Sequence, residues 1–589
     1  MGPSARHEGR RERRRQRRGT PRVRRRGLGL LLVAVAGLAA VTGCSNTPPP
    51  PLVTSPVAQT SPSRSPEVNE LVVGVDVIGD GGLNPHALAD QNRTAAVLAQ
   101  LMLPSVFRTG PDGTPRLDRT LMTSAEVTRS EPFTVTYSLR HEASWSDGAP
   151  IAAEDFVYLY ERMRSEPGVV DPAGYRLISK VNSRGGGKTV EVVFTKPYPG
   201  WRSLFSNLLP AHLLKDAPGG WARALHDSYP TSGGPFSMNS LDRGRGEIVL
   251  ERNDRYWDRP AALERIVLRA ADHGGLARAV DSGDDQAVLL RADAVAMNTL
   301  RALTGVSLST VPRATVVQVL LRPSSPRLAD PKVRAAVAAA LDRPALIAAG
   351  TGGGPGADLV ADAQVLPPSR PGYTATAPGS GAPTRPDPEA VQRLLTEAGY
   401  TKTAGTWIRD NQPLSLVIAA PEKQEPYATL AALAQKQLTA AGIEARVITP
   451  DPDRLYGQLL AGDPTSGADQ VVDLAVLPRA VGGDGATALA SAFGCRVELP
   501  GGSQQSPPNQ AGFCDPALQP TIEAALTGAT TLVDVVARVE PALWQQAVAI
   551  PLFQLTDVLV TRPEAVNVTA GPPLATPFAN AAEWRRKPR

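Results

Sequence analysis

Apolar and polar residues alternate one by one along residues 133–140, which read FTVTYSLR. A period of two places the apolar side chains on one face of a half-buried strand. The pair Asp147-Gly148 favours a tight turn after this strand, because glycine tolerates a positive φ. The pattern therefore predicts a strand, a turn and then an amphipathic helix, whose apolar stripe recurs at positions i, i+3, i+4 and i+7 as Phe156, Leu159, Tyr160 and Met163.

Other periodic segments also alternate between strand and helix. Residues 71–75 have the uninterrupted apolar character of a buried strand. At Asp330-Pro331 an N-cap residue precedes a proline at the first helical position, which predicts the start of a helix. Residues 387–399 repeat this arrangement and end at a glycine, and residues 414–449 read strand, helix, strand. Such alternation indicates an α/β fold.

Length and charge narrow the class of protein further. The chain has 589 residues, whereas single hydrophobic cores stop growing near about 250–300 residues. At least two lobes are therefore expected. The formal charge of +5 reflects the dense arginine run of residues 10–26, and the rest of the chain is near neutral or acidic. A nucleic-acid partner is for this reason not expected.

The N-terminus carries the signals of export. An apolar stretch at residues 27–40 follows the basic run, and it is too short for a transmembrane span of about 20 residues but typical of a signal peptide. Cys44 ends the sequence VTGC, which resembles the lipobox of bacterial lipoproteins, whose cysteine becomes the lipid-modified first residue of the mature chain. The alternative is an ordinary signal peptide followed by a chance cysteine. The next residues, up to residue 67, are rich in proline and serine and predict an extended tether.

The turn and the start of the predicted helix carry a motif with a known counterpart. Residues 145–156 read WSDGAPIAAEDF and resemble the W-S-D-G-x-P-[ILV]-T-A-x-D-[VF] signature of the family 5 extracellular solute-binding proteins, the peptide and nickel receptors of ABC importers. Ala152 stands where that family usually has threonine, so half of a capping box is missing, although Asp155 can still favour the helix N-terminus. Further family motifs follow in the family's order at residues 231–236, 252–257, 330–343 and 387–400.

This resemblance covers residues 71–561 and implies a fold. The expected architecture is an α/β, two-lobed, periplasmic-binding-protein-like fold of type II, of the large peptide-receptor class, with an accessory third region. Several chain crossings between the lobes imply a hinge. The expected order is a lipoprotein signal peptide with lipobox (1–44), a Pro/Ser-rich tether (45–67), lobe I part a (68–113), the accessory region (114–228), lobe I part b (229–310), lobe II (311–547), and lobe I part c with the C-terminal tail (548–589).

The resemblance also implies a function. Receptors of this architecture close two lobes over a ligand and need no covalent step. The expected protein is a non-enzymatic, membrane-anchored substrate-binding lipoprotein of an ABC-type importer, which captures a peptide or a similar extended solute and delivers it to ABC permease subunits. It would be a monomer on the extracytoplasmic face of the cell membrane, held there by a diacylglyceryl group on Cys44.

The segment that should bind the ligand departs from the family pattern. In peptide-binding members a buried aspartate neutralises the ammonium terminus of the ligand. It lies in a segment with the approximate sequence G-W-x-A-D-Y-x-D-P. Here residues 477–486 read LPRAVGGDGA, without the tryptophan. The position of the family's amine-binding aspartate corresponds here to Val481 or a neighbour, and Asp484 corresponds to the second, structural aspartate. If the alignment is shifted by a few residues, Asp484 instead takes the anchoring role. A buried ammonium group without a partner is costly, which argues against the usual peptide mode.

This departure keeps a second function open. LpqW-like actinobacterial lipoproteins resemble these receptors, but they are implicated in controlling cell-envelope glycolipid assembly of the phosphatidylinositol mannoside and lipoarabinomannan type. Residues 83–93 and the LPSVF run at 103–107 resemble that branch. The polar cluster 90–92 could equally be a solvated loop. The candidate ligand-binding residues are Asn84, Asp90, Asn92, Gly482 and Asp484.

Cysteines and histidines support no catalytic or metal chemistry. Cys495 and Cys514 are the only other cysteines, and an even pair in an oxidising compartment favours a disulfide over two free thiols. The histidines are dispersed, without the close spacing of helical ligands, so neither a metal site nor a cofactor is predicted, although nickel-binding relatives leave a chelate-carried metal open. No G-x-S-x-G or H-E-x-x-H motif is present. Trp145 is expected to pack inside a lobe rather than to stack on a ligand.

Overall fold

Strands and helices alternate along the chain, as the sequence predicts. The computed structural model describes residues 69–381, 383–462, 471–501 and 504–587, and the signal peptide, Cys44 and the tether lie outside these residues. The strands are β1 (Glu70–Val75), β2 (Phe107–Thr109), β3 (Pro115–Leu117), β4 (Met122–Ser130), β5 (Phe133–Leu139), β6 (Ile178–Arg184), β7 (Thr189–Phe194), β8 (Phe236–Asp242), β9 (Glu247–Arg252), β10 (Arg265–Ala270), β11 (Ala287–Leu290), β12 (Ser307–Leu321), β13 (Thr401–Thr403), β14 (Thr406–Arg409), β15 (Gln412–Pro413), β16 (Ser415–Ala419), β17 (Glu444–Ile448), β18 (Leu474–Ala480), β19 (Ala549–Thr561), β20 (Ala565–Val566) and β21 (Arg585–Arg586). The α-helices are α1 (Arg93–Met102), α2 (Ala153–Ser165), α3 (Ala173–Arg176), α4 (Ala211–Leu214), α5 (Gly220–Arg223), α6 (His273–Ser282), α7 (Ala294–Arg301), α8 (Pro331–Ala340), α9 (Arg343–Thr351), α10 (Pro388–Glu397), α11 (Tyr427–Ala440), α12 (Pro452–Arg454), α13 (Gly485–Phe493), α14 (Gln519–Thr527) and α15 (Leu532–Gln545).

A mixed ten-stranded sheet organises these elements, in the order β17-β16-β18-β12-β19-β11-β1-β10-β9-β8. In its first half β1 pairs in parallel with β10 and β11, and in its second half β16 pairs in parallel with β17 and β18. Antiparallel pairs through β12 and β19 join the two halves. Within this sheet, β1 and β8 to β11, which precede β12 in sequence, lie in the first half, and β16 to β18, which follow it, lie in the second. The sheet thus defines two lobes that share two strands.

The two shared strands change partners along their length. The end of β19, residues 558–561, pairs with β11 in the first half, whereas the end of β12, residues 315–321, pairs with β18 in the second half. Between these regions the β12–β19 register shifts from Pro312 to Val316. The interruption in pairing therefore lies where the strands pass from one lobe to the other, which is where a hinge is expected.

The composition of the shared strands explains their central position. Residues 315–321 of β12 and 549–560 of β19 are buried, and both are nearly continuous apolar runs, typical of strands covered on both faces. Polar exceptions are few and have defined partners in most cases. Gln554 donates to Arg313 O at 2.8 Å and accepts from Ser369 N at 3.0 Å.

The predicted strand, turn and helix at residues 133–163 are confirmed. β5 lies in a separate four-stranded sheet, in the order β4-β5-β7-β6. The turn contains Gly148 at a φ of 96°, and α2 packs its apolar stripe on the sheet, with the Phe156 and Tyr137 ring centroids 5.8 Å apart. Trp145 is fully buried in the same hydrophobic cluster, so its predicted packing role is confirmed.

Asp155 joins the signature turn to the helix that follows. Its Oδ2 accepts from Ala152 N at 3.0 Å, and its Oδ1 accepts from Ala211 N at 2.9 Å, at the start of α4. Ala152 has no hydroxyl group, so only this half of the capping box forms, as the sequence indicates. Burial raises the pKa of Asp155 to about 6, although these hydrogen bonds act in the opposite direction.

The remaining predictions about the fold have different outcomes. Cys495 and Cys514 form the predicted disulfide, with their Cα atoms 4.5 Å apart. No helix in the described ranges is both long enough and apolar enough to cross a bilayer. The described residues form one compact unit in which the ten-stranded sheet is continuous. The residue numbers assigned to the lobes and to the accessory region stay a prediction.

Replacing Asp155 with alanine should destabilise the accessory region. Asp155→Ala removes the acceptor of two backbone N–H groups, which should lower the free energy of unfolding by about 2–4 kcal/mol. Glu154→Ala is the matched control, because the exposed Glu154 makes only a surface ion pair with Lys215, an interaction worth about 0–1 kcal/mol. Urea denaturation followed by circular dichroism measures both variants, and equal losses would contradict the role given to Asp155.

Candidate functional site

A cleft of about 480 Å³ lies between the two lobes. One wall comes from residues 76–94, which follow the carboxyl end of β1, and the other from residues 422–427 and 451–453, which follow the carboxyl ends of β16 and β17. Arg313 of β12 and Leu555 of β19 also line it. In open α/β sheets ligands bind in crevices outside the carboxyl ends of strands, which makes this cleft the candidate solute site.

The two walls of the cleft touch through weak polar contacts. Lys423 Nζ lies 3.5 Å from Asp80 Oδ2, and Gln424 Nε2 donates to Ala89 O at 3.3 Å. Lys423 and Asp80 are both about two-thirds exposed (67% and 65%). Exposed ion pairs contribute about 0–1 kcal/mol, so these contacts oppose opening of the cleft only slightly.

A buried ion cluster adjoins the cleft where β1, α1 and β19 meet. Arg93 donates to Asp557 through Nε at 2.9 Å and Nη2 at 2.6 Å, and it also pairs with Asp76. Burial alone would raise the pKa of Asp557, but the charges of Arg93 and Arg313 hold it below its usual value. The cluster ties α1 of the first lobe to a shared strand.

Three of the predicted ligand-binding residues, Asn84, Asp90 and Asn92, lie in the segment between β1 and α1, next to the first wall of the cleft. Asp90 Oδ2 accepts from Asn84 N at 3.0 Å, and Asn92 caps α1 by accepting from Ala95 N at 2.8 Å. Asp90 and Asn92 line the cleft, whereas Asn84 is not among its lining residues. Burial raises the pKa of Asp90 to about 7. A ligand role for the three residues stays a prediction.

Gly482 and Asp484 lie elsewhere, beyond the carboxyl end of β18. Asp484 caps α13, because its Oδ2 accepts from Thr487 N at 2.9 Å and from Thr487 Oγ1 at 2.8 Å. A Cβ atom at Gly482 would come within 3.0 Å of the Ala314 Cβ, so this position packs closely on β12. Neither residue lines the 480 Å³ cleft. The capping bonds give Asp484 a structural role, and a ligand role for either residue stays a prediction.

A second, smaller cavity of about 50 Å³ lies close to this segment. Leu88, Val169 and Asp171 line it from one side, and Gln318 of β12 and Arg479 of β18 line it from the other. Burial raises the pKa of Asp171 to about 7, although the Arg479 charge acts against this shift.

Sequence reasoning missed the polar residues that line this cavity, namely Asp171, Gln318, Arg479, Ser491 and Gln510. A signal for one of them existed, because Arg479 lies in the segment LPRAVGGDGA, which lacks the family tryptophan.

Metal chemistry finds no support in the described residues. Within the described ranges, no three histidine, cysteine, aspartate or glutamate side chains form a group that could hold a metal ion. His86 is buried, which lowers its pKa to about 4, and its Nε2 donates to Asn207 O at 2.9 Å. The expectation of no metal site stays a prediction.

Comparison with known proteins identifies the family to which the chain belongs. Residues 119–472 match the family model of the bacterial extracellular solute-binding proteins, family 5. The chain therefore belongs to this family of substrate-binding receptors.

Individual relatives are of two kinds. The chain is 35% identical over 608 residues to the probable monoacyl phosphatidylinositol tetramannoside-binding protein LpqW of Mycobacterium tuberculosis, covering 91% of this chain and 94% of that protein. It is 31% identical over 266 residues to the oligopeptide-binding protein OppA of the same species, covering 43% of this chain and 44% of that protein. The resemblance to this family that the sequence motifs carry is confirmed.

Solved structures share the fold. The periplasmic EDTA-binding protein EppA superimposes with a TM-score of 0.68 at 22% identity, covering 89% of this chain and 97% of that one. The oligopeptide-binding protein AppA from Bacillus subtilis, in complex with a nonapeptide, superimposes with a TM-score of 0.66 at 16% identity, covering 88% and 100%. The predicted two-lobed fold of type II is thus confirmed.

The buried Asp90 should make stability depend on pH. With its pKa at about 7 in the folded protein, Asp90 holds a proton between pH about 4 and about 7 that the unfolded chain has lost. Its contribution to the free energy of unfolding is therefore present near pH 4 and is lost as the pH rises to about 7.

Asp90→Asn imitates the protonated side chain, so the stability of this variant should fall less steeply over that pH range. Some slope should remain, since burial raises the pKa of Asp171 in the same direction. Urea denaturation at a series of pH values measures both slopes. An unchanged slope in the variant would contradict a proton on Asp90.

Proposed function

We propose that the protein is a membrane-anchored receptor that captures an extended solute between two hinged lobes and passes it to an ABC permease. The observation that carries this proposal is the 480 Å³ cleft, whose opposite walls belong to different lobes. Membership of the solute-binding family supports it. Such a receptor performs no covalent chemistry, so the proposed activity is binding and release.

The hinge follows from the two shared strands. Their pairing is interrupted between Pro312 and Val316, and the walls beyond this point touch through Lys423–Asp80 and one side-chain hydrogen bond. These two contacts are weak, but hydrogen bonds such as Tyr198 Oη–Thr487 Oγ1, Ala173 N to Ser491 Oγ and Arg176 Nη2 to Pro507 O must also break if the lobes part. A solute that touches both walls binds the closed form preferentially, and this difference in affinity drives closure.

A peptide is the first candidate solute. Relatives named as oligopeptide-binding proteins support it, as does the AppA fold in its nonapeptide complex. The cleft also offers carboxylates to a ligand ammonium group, since Asp80, Glu422 and Asp453 line it. These could replace the amine-binding aspartate that the segment around Gly482 lacks.

A mannosylated lipid is the second candidate solute. A protein that binds it would be a regulatory lipoprotein of the same fold, which controls cell-envelope glycolipid assembly. Two observations support it. The relative that matches over 91% of this chain is named for binding a monoacyl phosphatidylinositol tetramannoside. The position of the amine-binding aspartate, Val481 or a neighbour, also lacks the carboxylate that peptide-binding members use.

A binding screen distinguishes the two candidates. The purified protein is titrated with pools of mixed peptides and, separately, with phosphatidylinositol mannosides, and unfolding is followed by differential scanning fluorimetry. A solute present at about 100 times its Kd should add about 2.7 kcal/mol to the free energy of unfolding. A shift with peptides alone favours import, and a shift with the mannosides alone favours the regulator. No shift with either would contradict the proposed receptor.

Membrane anchoring through Cys44 is tested separately. Cys44→Ala should remove the acylated residue and release the body from the membrane fraction, because several acyl chains on one residue are needed for stable anchoring. Ser45→Ala, which keeps the cysteine, is the control and should stay with the membrane. Immunoblots of membrane and medium fractions measure both, and retention of the Cys44→Ala protein in the membrane would contradict the anchor.

A further inference from the structure

A short segment of the first lobe packs directly on the second lobe. Residues 88–90 contact residues 452–459, and Leu88 and Ala89 belong to the same hydrophobic cluster as Leu455, Tyr456 and Leu460. We refer to this contact between residues 88–90 and 451–460 as the lobe interface. Because its two sides belong to different lobes, the lobe interface must come apart when the lobes part.

Aspartates of both lobes meet at the edge of the lobe interface. Asp90 comes from the first lobe, Asp451 and Asp453 come from the second, and all three line the cleft. Asp90 is only 4% exposed, and the Asp453 charge acts on it. Within the described ranges, no arginine, lysine or histidine lies at ion-pair distance from any of the three. Closure of the lobes therefore brings like charges together without a cation between them.

His226 lies at the same place and belongs to the first lobe. It lines the cleft together with the three aspartates, and its charge acts on both Asp90 and Asp453. Its Nδ1 lies 2.8 Å from Asp227 Oδ1. Histidine is the residue type whose charge changes most readily between pH 5 and 8. A protonated His226 therefore attracts Asp453 across the cleft.

The other charged groups around Asp90 are largely paired with one another. Arg93 pairs with Asp76, Lys423 with Asp80, and Arg243 with Asp227. Burial raises the pKa of Tyr229, so its hydroxyl stays neutral, and it donates to Leu83 O. The groups that remain are Arg223, which attracts Asp453, and the cleft-lining carboxylates Glu422 and Glu425 of the second lobe. These two carboxylates add to the negative charge that faces Asp90.

Joining the lobes favours the neutral forms of the facing aspartates. Burial raises the pKa of Asp90 to about 7, and the Asp453 charge acts in the same direction. Burial and the Asp451 charge likewise raise the pKa of Asp453. When the lobes part, water reaches the interface and the like charges separate, so the open form holds these protons less tightly. The form that binds protons more tightly gains population as the pH falls, and here that form is the closed one.

We propose that the lobe interface is a pH-sensitive switch, in which acid holds the two lobes together through Asp90, Asp453 and His226, and a rise in pH shifts the protein towards the open form. The consequence for a solute rests on the proposed receptor function. A solute that binds the closed form is held more tightly in acid and is released as the pH rises. The movement of the lobes can be measured without any solute.

Single-molecule energy transfer between one dye on each lobe measures closure of the free protein. Val295→Cys in α7 and Val533→Cys in α15 provide the attachment points, because both valines are largely exposed. They lie on different lobes, since α7 packs beside β11 and α15 packs beside β18. Cys495 and Cys514 are bonded to each other, and Cys44→Ala removes the remaining thiol.

The ratio of closed to open molecules should rise between about fivefold and about eightyfold from pH 8 to pH 5. The upper limit of about eightyfold applies if Asp90 regains the ordinary aspartate pKa of about 4 in the open form. Circular dichroism at each pH is the control for an intact fold.

Substitutions assign the pH dependence to the lobe interface. Asp90→Asn imitates the protonated side chain, so the lobes should stay closed at pH 8 and the change in the ratio should fall below about threefold. Asp453→Asn removes the facing charge and should reduce the change in the same way, and Asp453 is only half-buried, so this variant should fold even if Asp90→Asn does not. His226→Gln should reduce the change without abolishing it.

Lys423→Gln is the matched control. It removes the ion pair with Asp80 that also joins the two walls, but this pair is exposed and contributes about 0–1 kcal/mol. Closure should therefore weaken slightly at every pH, while the dependence on pH stays as in the wild type.

The outcomes separate failure of the switch from failure of the receptor. A closed-to-open ratio that is constant between pH 5 and 8 in the wild type would overturn the switch, whether or not a solute binds. An equal change in the wild type, Asp90→Asn and Asp453→Asn would do the same. Closure in acid by a wild-type protein that binds neither peptides nor mannosides at any pH would leave the switch in place and contradict the receptor.

Discussion

The pairing of β12 with β19 is the constraint on which the rest of the structure depends. These two strands run through both halves of the ten-stranded sheet, and β12 also pairs with β18 while β19 pairs with β11. β19 is buried over residues 549–560 and β12 over residues 315–321, so neither strand can be removed without exposing the cores of both lobes. The register shift between Pro312 and Val316 is the place where this rigid pair can bend. The cleft lies beside this shared pair, since Arg313 of β12 and Leu555 of β19 line it.

Buried charge is used in two different ways around the cleft. Arg93 is satisfied by Asp557 and Asp76, and this cluster holds α1 against β19. Arg479, in contrast, uses only Nη1 within the protein and leaves one edge free. A satisfied buried ion pair serves the fold, whereas an unsatisfied buried group costs stability and is kept only where something else requires it. The two buried arginines therefore differ in how much of their hydrogen-bonding capacity the protein itself uses.

Residues 477–486, which include the end of β18 and the start of α13, differ in charge from the family segment that they resemble. Arg479 introduces a positive charge, and Gly482 offers no carboxylate near the position where peptide receptors hold an ammonium group. Asp484, the only acidic residue of residues 477–486, is occupied as the N-cap of α13. Local helix capping therefore gives a structural role to the residue that composition alone would select for solute binding.

The sequence by itself determined the α/β class, the strand, turn and helix at residues 133–163, and the family, because periodicity, capping and short motifs are local properties. It also indicated the Cys495–Cys514 disulfide, because an even pair of cysteines in an exported body favours a bridge. Only the tertiary structure decided which polar residues meet. Arg93 and Asp557 are 464 residues apart, and Asp171, Gln318 and Arg479 come from three separate elements. Such contacts depend on the order of strands in the sheet, which no local pattern encodes.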